Sequence, residues 1–201
     1  MEPLAVGMHA VRRGRLKPGE PIVILGAGTI GLVTILSAKA AGAGEIIVAD
    51  LEDVRLEMAK KLGADEIIDS KEVDLTKEVL RLTEGKGVDA VLDFVASPQT
   101  LEAGFESLGR AGRLVILGFR PPHVFNVDPI FRVNPLVVLN KGLEIHGYRY
   151  VSMAELIEAV KVVKEGRIKP VVTQTFALEE AEKVHQLVME NKITGRAALV
   201  I

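Results

Sequence analysis

The sequence predicts an α/β fold: a doubly wound, six-stranded parallel sheet with helices on both faces, followed by a C-terminal segment of helices and strands. Three observations predict it. Apolar runs of strand length alternate with segments of helical period, as parallel strands joined by crossover helices require. The stretch Pro21–Ala38 carries no charge over 18 residues, long enough to raise a membrane span. Its strand-like start and its three glycines, Gly26, Gly28 and Gly31, divide it instead into a strand, a turn and a helix. Beyond residue 151 the rhythm changes to helix, extended segment, helix and strand, which sets that part apart from the sheet.

In order, residues 2–11 read as a helix, and Leu16 to Glu20, with Pro18 and Gly19, as the turn into the first strand, Ile22 to Leu25. A helix from Thr29 to Ala41 leads to the second strand, Glu45 to Ala49. The next helix, Glu52 to Leu62, is closed by Gly63, and the third strand is Glu66 to Ile68. Leu75 to Thr83 is helical, Gly85 and Gly87 mark a turn, and Val88 to Phe94 is the fourth strand. Gln99 to Leu108 reads as helix and Gly112 to Gly118 as the fifth strand. An irregular segment comes next, with Pro121, Pro122, Pro129 and Pro135, because a residue before proline is pushed out of helical space. Leu143 to His146 is the sixth strand, which completes the sheet by about residue 148. The last part holds a helix from Ser152 to Glu165, an extended segment from Pro170 to Phe176, a helix from Leu178 to Glu190 and a terminal strand.

Composition narrows the function classes. With 201 residues there is room for one large domain, or one domain and part of another. Lys and Arg number 25 against 27 Asp and Glu, so no charge excess points to nucleic acid or to an anionic membrane surface. The absence of cysteine excludes a disulfide framework, a thiolate nucleophile and a Cys-ligated zinc within these residues. No basic stretch precedes an apolar one at the N-terminus, so no signal peptide is read, and the expectation is a soluble, cytoplasmic protein.

The chemistry is concentrated at Gly26–Gly31. Gly26 permits a tight turn out of the first strand, Gly28 lets backbone approach a phosphate with no Cβ in the way, and Gly31 lets the helix pack close to the sheet. An anion there meets the unpaired N–H groups and the positive end of the helix dipole. The second strand ends in Asp50, which is 19 residues after Gly31 and suitably placed for the hydroxyls of a ribose. Together these mark a dinucleotide-binding unit of the Rossmann type. The four histidines, His9, His123, His146 and His185, show no ligand spacing and read as packing or surface groups. A short-chain dehydrogenase would need Tyr-x-x-x-Lys, but Ser152 and Ala154 stand where that lysine would come after Tyr148 or Tyr150. A methyltransferase also uses a glycine turn with a later acid, and the third glycine argues against it.

Glu2 with Pro3 to Ala10, Gly26 to Gly31, the Ala40 to Ala43 stretch, Asp50 with Arg55, Leu62 to Asp65, and Gly147 to Tyr150 together resemble the medium-chain, zinc-dependent alcohol dehydrogenases. Within them the sorbitol and threonine dehydrogenase branch is most similar. The resemblance implies that the backbone N–H groups of Thr29 and Ile30 hold the pyrophosphate of NAD, that Asp50 takes the ribose hydroxyls and that Arg55 lies along the adenine. A charge at Asp50 would repel a 2′-phosphate, favouring NAD over NADP. Val95, Ala96, Leu117, Phe119 and Tyr148 are implied at the nicotinamide, and Arg196 near the pyrophosphate. Glu2 matches a glutamate that reaches the catalytic zinc, and Arg149 and Tyr150 match a pair near the substrate. The zinc ligands of the family belong to an N-terminal, barrel-like catalytic domain, and this chain corresponds to the part C-terminal to that domain. Residues 1–20 are then a helix and linker from that domain, 21–150 the NAD-binding domain, and 151–201 a segment that rejoins the catalytic domain. The expectation is an NAD-binding part with no metal site and no complete catalytic set of its own, inactive alone, pairing with copies of itself through the sheet edge or with a separate catalytic domain. A noncatalytic NAD-binding or assembly module, or one half of a split dehydrogenase, are the alternatives.

Overall fold

The computed structural model describes residues 1–118, 132–190 and 192–201. Six strands, β1 (Ile22–Leu25), β2 (Ile46–Asp50), β3 (Glu66–Asp69), β4 (Val88–Asp93), β5 (Leu108–Ile116) and β6 (Glu144–Gly147), form one sheet in the order β3-β2-β1-β4-β5-β6. Every pairing is parallel. Strand order reverses between β1 and β4, and this opens a crevice at their carboxyl ends.

The alternation of side chains along the strands divides the core. Ile22, Ile24, Val48, Ala90 and Leu92 pack with Leu32, Ile35 and Ala38 of α2 (Thr29–Ala40) and Ala59 of α3 (Asp53–Leu62). Val23, Leu25, Ile47, Val91 and Leu114 pack with Val79 of α4 (Leu75–Leu82) and with Leu101 and Phe105 of α5 (Pro98–Glu106). All four β1 residues are buried, as expected of a central strand covered on both sides. Gly63, with φ 104°, closes α3 in the left-handed conformation that its position in the sequence implies.

The N-terminal helix α1 (Glu2–Arg13) lies on α2, and Gly7 makes the approach possible: a Cβ there would stand 2.9 Å from Thr34 Oγ1. Helix α7 (Met153–Lys164) packs on α1, and Leu4, Ala5, Val33, Ala159, Val162 and Ile168 form a third apolar cluster. The last strands, β7 (Gln174–Ala177) and β8 (Ala197–Val200), pair in parallel on either side of α8 (Ala181–Met189).

Two elements depart from the expected pattern: β5 starts at Leu108 rather than Gly112, because Leu108 already pairs with Val88 before the register shifts, and a helix appears where none is expected. Pro135 begins α6 (Pro135–Lys141), where the sequence predicts irregular chain. Proline is unfavourable for the residue before it, and Asn134 is accordingly extended, but at the first helical position its fixed φ suits the helix. The Asn134 side chain accepts from the Leu136 N–H at 3.0 Å and completes the cap. The expectations for Pro121, Pro122, Pro129, His123 and Phe119 lie outside the described residues. Among the described residues no helix is long and apolar enough to cross a membrane.

Candidate functional site

The glycine turn sits at the reversal of strand order, and its three glycines differ in what a Cβ would meet. Gly26 has φ 94°, and a Cβ there would come 2.8 Å from Val95 Cγ2. A Cβ at Gly31 would stand 1.9 Å from the Gly26 carbonyl oxygen, so helix and turn could not close. A Cβ at Gly28 would meet nothing within 4 Å. Packing therefore accounts for two glycines, whereas the third faces open space at the N-terminus of the 12-residue helix α2. No side chain caps that end, and first-turn amides have no carbonyl four residues earlier in the helix to pair with. A helix end of this kind can accept an anion such as a phosphate.

Asp50 holds the turn from the side. Its Oδ2 accepts from the Ala27 N–H at 2.7 Å, and its Oδ1 accepts from the Leu51 and Glu52 N–H groups at 2.8 and 3.0 Å. An Arg55 guanidinium nitrogen lies 3.8 Å from the same Oδ1. The carboxylate at the end of β2 thus sets the path of the glycine turn as well as facing the cleft. That cleft, about 1280 Å³, runs from Asp50, Arg55 and Val73 past Gly26 to Val95 and Ser97.

On the far side of the turn, Val95 and Ala96 leave β4 and Leu117 leaves β5. Asp93 organises all three: its Oδ1 accepts from the Val95 and Ala96 N–H groups at 2.7 and 2.9 Å, and its carbonyl accepts from Leu117 and Gly118 at 2.9 Å. Tyr148 continues the β6 ladder through its N–H to the Ile116 carbonyl, and its ring stacks on His9 of α1 at 3.4 Å between centroids. Arg149 lies over the ring of Tyr150, 4.9 Å from its centroid, and Tyr150 has φ 74°. Arg196 is exposed, and its neighbour Gly195 accepts a hydrogen bond from the Thr29 hydroxyl at 2.7 Å, which brings the C-terminal segment to the start of α2.

Glu2 stands exposed in the first turn of α1. Among the described residues no three His, Cys, Asp or Glu side chains are grouped to hold a metal ion, so a zinc centre does not fit them.

Residues 29–165 match the family model described as zinc-binding dehydrogenase. The chain belongs to the zinc-binding dehydrogenase family. The match starts on the first residue of α2 and takes in β2 to β6 and α7, and it corresponds to the C-terminal, NAD-binding part of these dehydrogenases. Sorbitol dehydrogenase of Bacillus subtilis is 33% identical over 195 residues, which are 96% of this chain and 53% of that protein. An NAD-dependent alcohol dehydrogenase of Sulfurisphaera tokodaii is 34% identical over 193 residues, 96% of this chain and 54% of its own. The alcohol dehydrogenase TADH from Thermus sp. ATN1 superposes with a TM-score of 0.88 at 28% identity, over 99% of this chain and 56% of that one. The chain spans about half the length of the relatives it matches.

Asp93 is absent from the site residues that the sequence of this zinc-binding dehydrogenase part predicts. It ends a buried strand as an acid with no basic neighbour in sequence, a pattern that flags a carboxylate satisfied by backbone N–H groups. His9, expected as a packing or surface group, stacks on Tyr148 and pairs through Nδ1 with Glu155, a contact across 146 positions that no local pattern reveals.

Proposed function

We propose that this chain is the NAD(H)-binding part of a zinc-dependent alcohol or polyol dehydrogenase and that it has no dehydrogenase activity alone. The observation that carries the reading is the open space at Gly28, on an uncapped helix N-terminus, next to a turn whose Ala27 N–H is held by the cleft-lining carboxylate of Asp50. Thr29 and Ile30 would hold the pyrophosphate through their N–H groups, Asp50 would take the ribose hydroxyls through lone pairs that its backbone donors leave, and Arg55 would lie along the adenine. Val95, Ala96 and Leu117 would line the nicotinamide end, with Tyr148 and Phe119 as the family resemblance implies, and Arg196 would approach the pyrophosphate from the C-terminal segment. NAD, when bound, supplies the hydride acceptor of the family reaction. The chain's own contribution is to bind and orient it. The polarising metal of the intact family, Glu2 and Arg149 act only with zinc ligands that the described residues do not supply.

NADH titrated into the purified chain and followed by nicotinamide fluorescence tests the reading: saturable binding is expected, with no alcohol-dependent NADH formation even when zinc is added. Absence of binding, or clear turnover, contradicts it.

The alternative of one half of a split dehydrogenase is favoured by the exposed apolar groups at the start of α7, where Tyr150 is 72%, Met153 70% and Ile157 63% exposed. A zinc-bearing catalytic half would cover them. Pairing of two copies through β6, which ends the sheet among the described residues, would cover the exposed Ile145 and Leu139.

A further inference from the structure

We propose that Asp93 is a positioning residue for the nicotinamide half of the dinucleotide, acting through the backbone of Val95, Ala96, Leu117 and Gly118; the assignment rests on the dinucleotide reading above. Asp93 is 0% exposed, too deep to touch a ligand itself. A carboxylate removed from water must collect donors, and Asp93 collects them from the chain just beyond it. Val95 and Ala96 donate N–H groups to Oδ1, and the Thr100 hydroxyl donates to Oδ2 at 2.9 Å. The Asp93 carbonyl oxygen meanwhile receives the Leu117 and Gly118 N–H groups, both at 2.9 Å. One residue thereby fixes the chain where it leaves both β4 and β5.

Two further observations show how tightly this floor is drawn. Ala96 has φ 53°, a left-handed conformation that a side-chain-bearing residue keeps only where its surroundings impose it, and the bond to Asp93 helps impose it. A Cβ at Gly118 would stand 2.6 Å from the Val95 carbonyl carbon, and one at Gly26 2.8 Å from Val95 Cγ2, so the floor is continuous with the glycine turn. A dinucleotide with its pyrophosphate on α2 and its adenosine toward β2 lays its second mononucleotide across β4 and β5. The backbone that Asp93 holds is the surface on which the nicotinamide would rest.

The test compares NADH with ADP-ribose, which lacks only the nicotinamide, by calorimetry on the whole 201-residue chain. Asp93→Ala is expected to weaken NADH by about tenfold or more while ADP-ribose changes by less than about threefold, the loss that results when buried N–H groups lose their acceptor. Asp93→Asn keeps an oxygen for the two N–H groups and an amide donor for Thr100, and is expected to restore most of the difference. Gly118→Ala presses a Cβ against Val95 and Ala96 without touching the carboxylate. It is expected to give the same selective loss, and it carries the test should Asp93→Ala not fold. Equal losses for both ligands, no loss, or a wild-type chain that prefers NADH no more than ADP-ribose overturns the assignment alone. A wild-type chain that binds neither ligand overturns the dinucleotide reading and the assignment with it.

Discussion

Asp50 performs two tasks with one carboxylate. It accepts three backbone N–H groups that shape the turn and faces the cleft where a ribose would lie. Asp50→Ala is therefore expected to lower stability by about 1–3 kcal/mol, since N–H groups lose their acceptor. The same change is expected to erase any preference for NAD over NADP. A thermal melt and paired titrations check this; unchanged stability would mean that the turn does not depend on the carboxylate. Gly31 acts through packing alone. With 1.9 Å available to a Cβ against the Gly26 carbonyl, Gly31→Ala is expected to cost about 3 kcal/mol or to prevent folding, as overpacking against backbone does. The glycines and Asp50 are legible in the sequence because their spacing is local and each answers to one steric or electrostatic need. His9 and the Thr29 contact to Gly195 are not, since their partners are brought close only by the fold, and Asp93 is legible only as an acid ending a buried strand, because its carbonyl's partners Leu117 and Gly118 come from the next strand.

At the scale of elements, α7 is held to α1 by charged side chains as well as by apolar contact. Glu155 receives the Ser152 N–H and hydroxyl of its own capping box, and it pairs with His9 on α1; Arg12 pairs with Glu158 alongside. Burial opposes the Glu155 charge, but the Ser152 N–H, His9 and the Ser152 hydroxyl outweigh it and bring the carboxyl to about 2. A carboxyl held below its unfolded value stabilises the fold above that value, and the contribution is lost as pH falls through the folded value. The α1–α7 contact is thus expected to hold at neutral pH and to weaken between about pH 4.5 and 2. Hydrogen exchange should then rise in residues 153–164 before it rises in β1. Loss of both together would show that the pair does not control the docking of α7. Most elements can be placed from period and turn residues, with ends shifted mostly by one or two positions and by four at the start of β5. Helix α6 cannot, because a proline that starts a helix and a proline that breaks one look alike without the cap at Asn134.

For the whole molecule, the sheet, its crevice at the β1–β4 reversal and the family match agree on the cofactor-binding part of a zinc-binding dehydrogenase. The expected parallel sheet comes from apolar runs that alternate with helical segments, a pattern that any doubly wound protein shares, and its strand order is seen only in the structure. The family membership rests on combinations such as Gly26–Gly31 with Asp50 and Arg55, which alternation alone does not supply. Exposed apolar groups, Ile145 on β6, Leu139 on α6 and Met153 and Ile157 on α7, favour association. Sedimentation velocity is expected to show a dimer or larger species that Ile145→Lys shifts toward monomer. A monomer at all concentrations would remove the β6 edge as the pairing surface.

The central claim is that the space at Gly28 belongs to the pyrophosphate of NAD. Calorimetry on the wild-type chain and on Gly28→Ala, each titrated with NAD and NADP beside a thermal melt, tests it most directly. The wild-type chain is expected to bind NAD at least about tenfold more tightly than NADP, while Gly28→Ala loses NAD with a melting temperature within about 3 °C of wild type. Equal affinities for the two cofactors, or a Gly28→Ala chain that binds NAD as well as wild type, would contradict it.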